Sequence, residues 1–163
     1  MATRKASKTT RKASPKDAIA LLKADHAAVA ELFGKYEAAK REDQKNSIAR
    51  KICDELKVHA TIEEEIFYPE LRAAKQEQEV DSMLNEADVE HDGAKKLIAE
   101  IEASDASNDL FDAQIKVLSE YIKHHVKEEQ SEIFPEARSS GLDLKEMGMR
   151  LAQRKQELKA QLA

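Results

Sequence analysis

With 163 residues, 36% of them charged and 41% hydrophobic, few Gly and Pro and no Trp, the chain has one domain's length and an all-α composition. At this size folding hides roughly two-thirds of the unfolded surface, which supports one core and leaves no room for a second large domain. No apolar run approaches the roughly 20 residues that span a bilayer, no secretory signal opens the chain, and Cys53 is the single cysteine, so a membrane protein and an internal disulfide are excluded and a cytoplasmic protein is expected.

Residues 1–14 read as a basic arm. Between positions 1 and 16 stand Arg4, Lys5, Lys8, Arg11, Lys12 and Lys16 and no acid, within a tandem echo of Thr3-Arg4-Lys5-Ala6-Ser7 in Thr10-Arg11-Lys12-Ala13-Ser14. Subtracting that +6 from the whole-chain −5 leaves the body at −11. A polar, non-periodic segment of this kind buries too little apolar surface to fold alone, so a disordered, solubilising arm is expected. Binding of nucleic acid or an acidic partner is the sharper alternative, although no aromatic is interleaved to stack on bases.

Residues 15–138 carry four helical patterns. The first is predicted to start with Ser14 as N-cap, Pro15 at the first helical position and Asp17 in the first turn, and its apolar seam is Ile19, Leu22, position 26, Val29 and Phe33. A polar break at Lys40 to Gln44 leads to a second seam of Ile52, Leu56, positions 59 and 63, and Ile66, after which Pro69 is expected to kink or end the helix. The third pattern starts near Glu79 and runs Leu84, Ala87, position 91, Ala94, Ile98 and Ile101, with Gly93 allowing a close approach beside the seam. A turn at Ser104 to Asn108 precedes the fourth: Phe111, Ile115, Leu118, Ile122 and positions 125 and 129. His124 falls off this seam, toward the rim. Four such helices joined by short turns specify an up-down-up-down four-helix bundle. Residues 141–163 add an amphipathic C-terminal helix, with Leu144, Met147, Leu151, Leu158 and Leu162 at helical spacing, packed on the outside or used in self-association.

The polar seam positions are His26, His59, Glu63, His91, His125 and Glu129. His59-x-x-x-Glu63 and His125-x-x-x-Glu129 are copies of one element, each followed by a proline ten residues after its histidine, and each preceded by a lone histidine, 33 residues earlier for His59 and 34 for His125. Residues four apart share a helix face, so each imidazole and carboxylate can converge on one ion or on adjacent ions. Two buried carboxylates without a counter-charge would cost more than a domain's whole stability of about 5–15 kcal/mol, and no Lys or Arg accompanies them in the seams. A cation from outside is required; the plain alternative is a core in which protonated histidines and glutamates satisfy one another. Four imidazoles and two carboxylates suit a pair of first-row transition ions, with iron favoured over manganese and zinc.

This ordered set resembles the hemerythrin family, in its HHE cation-binding branch, over about residues 15 to 138. The resemblance implies two iron ions, His26 and His59 on one, His91 and His125 on the other, with Glu63, Glu129 and an oxo or hydroxo group bridging. Oxygen-carrying members have a further histidine four residues before the position of His91; here that residue is Ala87. The departure implies an open position on the second iron, for water, peroxide, Glu90 or a tyrosine such as Tyr121. The expected function is binding or sensing of oxygen, related small oxidants or iron. One alternative is a di-iron enzyme with catalase-like or oxidase-like activity, and another a metal-stabilised interaction module. Cys53 is expected to be a buried packing residue.

Overall fold

Five continuous helical runs and no strand make up residues 16–163, the part of the chain that the computed structural model describes. The first run is α1 (Ala18–Ala38), and the second is α2 (Glu42–Ile62), which passes through a π-helical turn at Glu63–Phe67 into α3 (Tyr68–Ala74). The third is α4 (Gln78–Glu102). The fourth, α5 (Phe111–Glu128), continues through a second π-helical turn at Glu129–Ile133 into α6 (Phe134–Arg138), and the fifth is α7 (Leu144–Leu162). The expected basic arm and the expected start at Ser14 and Pro15 lie outside the described residues. Asp17 stands one step before the first turn: it is the N-cap of α1, its carboxylate accepting from Ala20 N–H at 2.7 Å.

Pro69, expected to kink or end its helix, does not end it, and neither does Pro135. A proline inside an α-helix has no N–H to donate, and its ring collides with the carbonyl four residues back. Here each helix carries on because it is widened just before the proline. Tyr68 N–H donates to Glu63 O, and Phe134 N–H to Glu129 O, both five residues back, ahead of Pro69 and Pro135. Each π turn begins at a seam glutamate, and such turns are frequent at functional sites.

Buried apolar side chains form two clusters with a polar layer between them. One draws on the start of α1 (Ile19, Leu22), the junction of α2 with α3 (Ile62, Phe67, Leu71), the start of α4 (Val80, Leu84) and the junction of α5 with α6 (Ile133, Phe134). The other draws on the opposite ends: Val29 and Phe33, Ile52 and Leu56, Ile98 and Ile101, Phe111 and Ile115. Cys53 belongs to the second cluster, where burial and then the Glu102 charge push its thiol up to about 12, as suits a packing residue.

Helix α7 lies across α1 and α2. It is capped by Asp143, whose carboxylate accepts from Glu146 N–H at 3.1 Å, and it buries Met147 and Leu151 in the first cluster. At Gly148 a Cβ would come within 2.4 Å of the Lys16 carbonyl oxygen, so only glycine permits this crossing. Arg150 grips Glu70 through two N–H donors at 2.6 and 2.7 Å, Arg154 grips Glu65 at 2.7 and 3.1 Å, and Lys159 meets Glu55 at 2.9 Å. Leu144 and Leu158 pack against the first cluster, and Leu162 at the far end of the face is exposed. No helix among the described residues is long and apolar enough to cross a membrane.

Candidate metal centre

The six polar seam residues meet in the layer between the two apolar clusters. All are buried, Glu63 and Glu129 completely. His26, His59, Glu63 and Glu129 present ligand atoms that all lie within 4.8 Å of one another, and Glu63, His91 and His125 form a second such group, so Glu63 is common to both. Glu129 reaches toward the second group, its Oε2 3.5 Å from His125 Nε2. In each pair the imidazoles face each other through Nε2, at 3.2 Å for His26 with His59 and 3.2 Å for His91 with His125.

A ring of polar groups outside this layer takes the other imidazole nitrogen of every histidine. His59 Nδ1 lies 3.0 Å from Asp25, His91 Nδ1 3.1 Å from Glu64, His125 Nδ1 3.1 Å from Glu90 and His26 Nδ1 3.0 Å from the Gln130 amide. For His59, His91 and His125 the partner is a carboxylate, which can only accept, so Nδ1 carries the proton and Nε2 offers its lone pair inward, the arrangement common to histidine ligands of metals. The Gln130 amide instead presents its Nε2–H to His26 Nδ1, which accepts. Glu90 thus serves as an outer partner of His125 and not as the direct filler of an open position. His124 is 64% exposed on its side chain and faces Glu128 at 3.0 Å, away from the buried layer.

The electrostatics of the layer call for a cation. Neither oxygen of Glu63 and only one of Glu129 has a hydrogen-bond donor, although His59 Nε2 stands 3.0 Å from Glu63 and His26 Nε2 3.0 Å from Glu129. With its proton at Nδ1, His59 brings a lone pair against the Glu63 carboxylate, which is repulsive unless a positive ion or a further proton lies between. Without a metal the layer recruits protons instead. Burial opposes charging of His59, but Glu63 and Asp25 hold its pKa well above the usual imidazole value. Burial likewise opposes charging of His91, and Glu63 and Glu64 nevertheless raise it to about 9. His125 is also raised, Glu129 outweighing the effect of burial. Glu129, against the cost of its burial, is held well below the carboxylate range by His125 and His26. Two protons cannot occupy a 3.2 Å Nε2 to Nε2 gap, so protonation satisfies the layer only in part. The donor set of imidazole nitrogen and carboxylate oxygen fits two first-row transition ions.

One residue at the centre escaped the sequence reading. Tyr68 is buried, its hydroxyl donating to Glu129 Oε2 and standing 3.4 Å from His91 Nε2. Burial and then the charges of Glu63 and Glu129 keep this phenol protonated far above its ordinary range. At about 100° per residue, position 68 would point roughly opposite His59 in an unbroken α-helix. The π turn reduces the rotation and swings it inward. Phe134 stands at the same distance after His125, and its ring stacks on His26 with centroids 5.8 Å apart and 5° between the planes. The available signal was the proline repeat itself, which marks both π turns. Tyr121, the tyrosine singled out by spacing, packs instead against Gly93, where a Cβ would come within 2.4 Å of its hydroxyl oxygen.

Comparison with known proteins bears on these observations. The family model described as the hemerythrin HHE cation binding domain matches residues 17–137. A solved crystal structure of a hemerythrin HHE cation binding domain-containing protein from Mycobacterium kansasii superposes with a TM-score of 0.77 at 20% identity, covering 90% of this chain and 89% of that one. At that identity the likeness speaks for the fold alone. Among curated proteins none matches the chain.

Proposed function

Because this chain belongs to the hemerythrin HHE cation-binding domain family, we propose that its four imidazoles and two buried glutamates hold a pair of iron ions and present them to dioxygen or a related small oxidant. The observation that carries the reading is the set of buried Glu63 and Glu129 oxygens that lack a donor and face four imidazoles whose outer nitrogens are already engaged. His26 and His59 would hold one ion with both glutamates; His91 and His125 would hold the other with Glu63. The phenol of Tyr68 offers an oxygen beside the second ion, where Ala87 supplies no imidazole. Bound iron contributes reversible oxygen binding or redox turnover. The reading takes the four long runs as an up-down-up-down bundle, which is supported by the alternating helix ends in the two apolar clusters.

The size of the adjoining cavity bears on the ligand. It measures about 40 Å³, is walled by Val29, Leu56, Ala94, Ile98 and Ile122 against the four histidines, and has Lys57 and Lys95 among its lining residues. At roughly 10–15 Å³ per water such a space takes a diatomic molecule or peroxide and no organic substrate. Turnover of peroxide is the second reading, favoured by Tyr68, a proton-bearing group at the buried layer. Metal analysis and an optical spectrum of protein purified in air test both. About two irons per chain with near-ultraviolet bands of a bridged ferric pair are expected. Rapid gas evolution on adding peroxide selects the enzyme, and a stable oxygen-dependent spectrum selects the carrier or sensor. A protein that folds equally well with chelator and holds no metal overturns the proposal.

A further inference from the structure

We infer that Lys155 of α7 is a positioning residue of the metal centre, acting through Asp25 to hold the His59 imidazole with Nε2 turned toward the first ion; this rests on the two-ion reading above. Asp25 is only 5% exposed, and both of its oxygens are engaged. Oδ2 meets His59 Nδ1 at 3.0 Å, and Oδ1 accepts from the Lys155 ammonium. Three helices are thereby joined in one line, from α7 through α1 to α2. The ammonium on Oδ1 fixes the Asp25 carboxylate in the orientation that turns Oδ2 to the His59 Nδ1–H, and that contact sets the plane of the imidazole. Removing the ammonium leaves the carboxylate free to turn toward solvent, which withdraws the group that orients His59.

Lys155 differs from its neighbours on α7 and from its counterparts around the centre. Lys159, one turn later, meets Glu55 at the surface and touches no partner of a ligand. Glu64, the carboxylate behind His91, takes its cation from Lys95 within α4, and Glu90 faces His124 of α5. Among the described residues, His59 is the one histidine whose outer partner is neutralised from beyond the four runs that supply the ligands. The seating of α7, forced to be close at Gly148, thus has a direct line through Asp25 to the His59 side of the centre.

The test uses the full chain loaded with Co(II), whose optical spectrum reports ligand geometry. Losing an outer partner of a ligand histidine typically costs 10–100-fold in metal affinity, and Lys155 acts one step further out. Lys155→Met should weaken one of two Co(II) sites about tenfold and alter its visible bands, while Lys155→Arg restores most of the affinity. Lys159→Met removes an α7 ion pair as a control and should bind as the wild type does. Asp25→Asn, close to isosteric, should reproduce the Lys155→Met loss even if that variant folds poorly. Wild-type affinity and spectrum in Lys155→Met, or a loss in Asp25→Asn that Lys155→Met does not share, overturns the inference and leaves the two-ion centre standing. A wild-type chain that binds no Co(II) overturns both.

Discussion

The first helical pair, α1 with α2 and α3, and the second, α4 with α5 and α6, place the same residues at the seam and differ just outside it. Asp25 precedes His26 as Glu90 precedes His91, but only Asp25 is tied to a lysine of α7. Glu64 follows Glu63 where the neutral Gln130 follows Glu129, so His91 leans on a carboxylate and His26 on an amide. Tyr68 brings a hydroxyl to the layer at the place where Phe134 brings an apolar ring. A carboxylate partner raises the basicity of a ligand imidazole, and a phenol adds an oxygen donor. The duplicated frame therefore supplies two candidate ligand groups, each with a facing pair of imidazoles and sharing Glu63, that differ in Glu129 and in their surroundings, with the phenol on the side that has Ala87.

The sharpest way to break this comparison is to remove the residue both groups share. Glu63→Met should abolish paired binding, leaving at most one metal per chain. Metal at 100 to 1,000 times its dissociation constant stabilises by about 3–4 kcal/mol, so loaded protein should melt about 10 °C lower in the variant. In chelator at pH 9.5, where His91 has lost the proton that Glu63 holds on it, the order should change: the variant no longer buries an unpartnered carboxylate and should be at least as stable as the wild type. A variant less stable than the wild type in chelator at that pH as well would show that Glu63 is satisfied without metal.

pH separates the metal-free from the loaded layer. His91, raised from 6.5 to about 9 in the folded metal-free chain, contributes stability that is complete below pH 6.5 and is lost as pH rises through 9. The shift corresponds to on the order of 3 kcal/mol, and His59 and His125 act in the same direction. Chelated protein should therefore melt at a higher temperature at pH 6 than at pH 9.5. Loaded protein should show the reverse in metal affinity, because each ion displaces protons from the imidazoles. Equal melting of the chelated protein at the two values would mean that the imidazoles are neutral throughout.

The smallest expected effect separates the two halves most finely. Tyr68→Phe makes the first half match the second and removes a hydrogen bond to a charged group, worth about 1.5–3 kcal/mol. Metal affinity at the His91–His125 side should fall about tenfold, with a change in the optical spectrum and the fold intact. His124→Ala, an exposed neighbour of the same helix, should change neither. Identical spectra for Tyr68→Phe and wild type would place the phenol outside the coordination chemistry.

The inner residues were legible in the sequence because each relation among them spans one helical turn or one seam. His59 and Glu63, like His125 and Glu129, are four apart, and 3.6 residues per turn puts them on one face whatever the rest of the chain does. The same periodicity gave the apolar positions on either side, so the polar layer and its need for a cation could be read from local geometry. The outer ring could not, because its pairings cross between helices: Asp25 sits beside His26 in sequence and serves His59, and Gln130 sits beside Glu129 and serves His26. Tyr68 was hidden for a different reason. An inserted residue at a π turn shifts every later side chain off the α-helical phase, and Ile66, taken for the seam, gives way to Phe67 and Tyr68. Lys155 reaches Asp25 from 130 residues away, a distance over which no local periodicity carries information. Composition and helical phase determined which atoms face inward; the packing of helices distant in sequence decided what stands behind them.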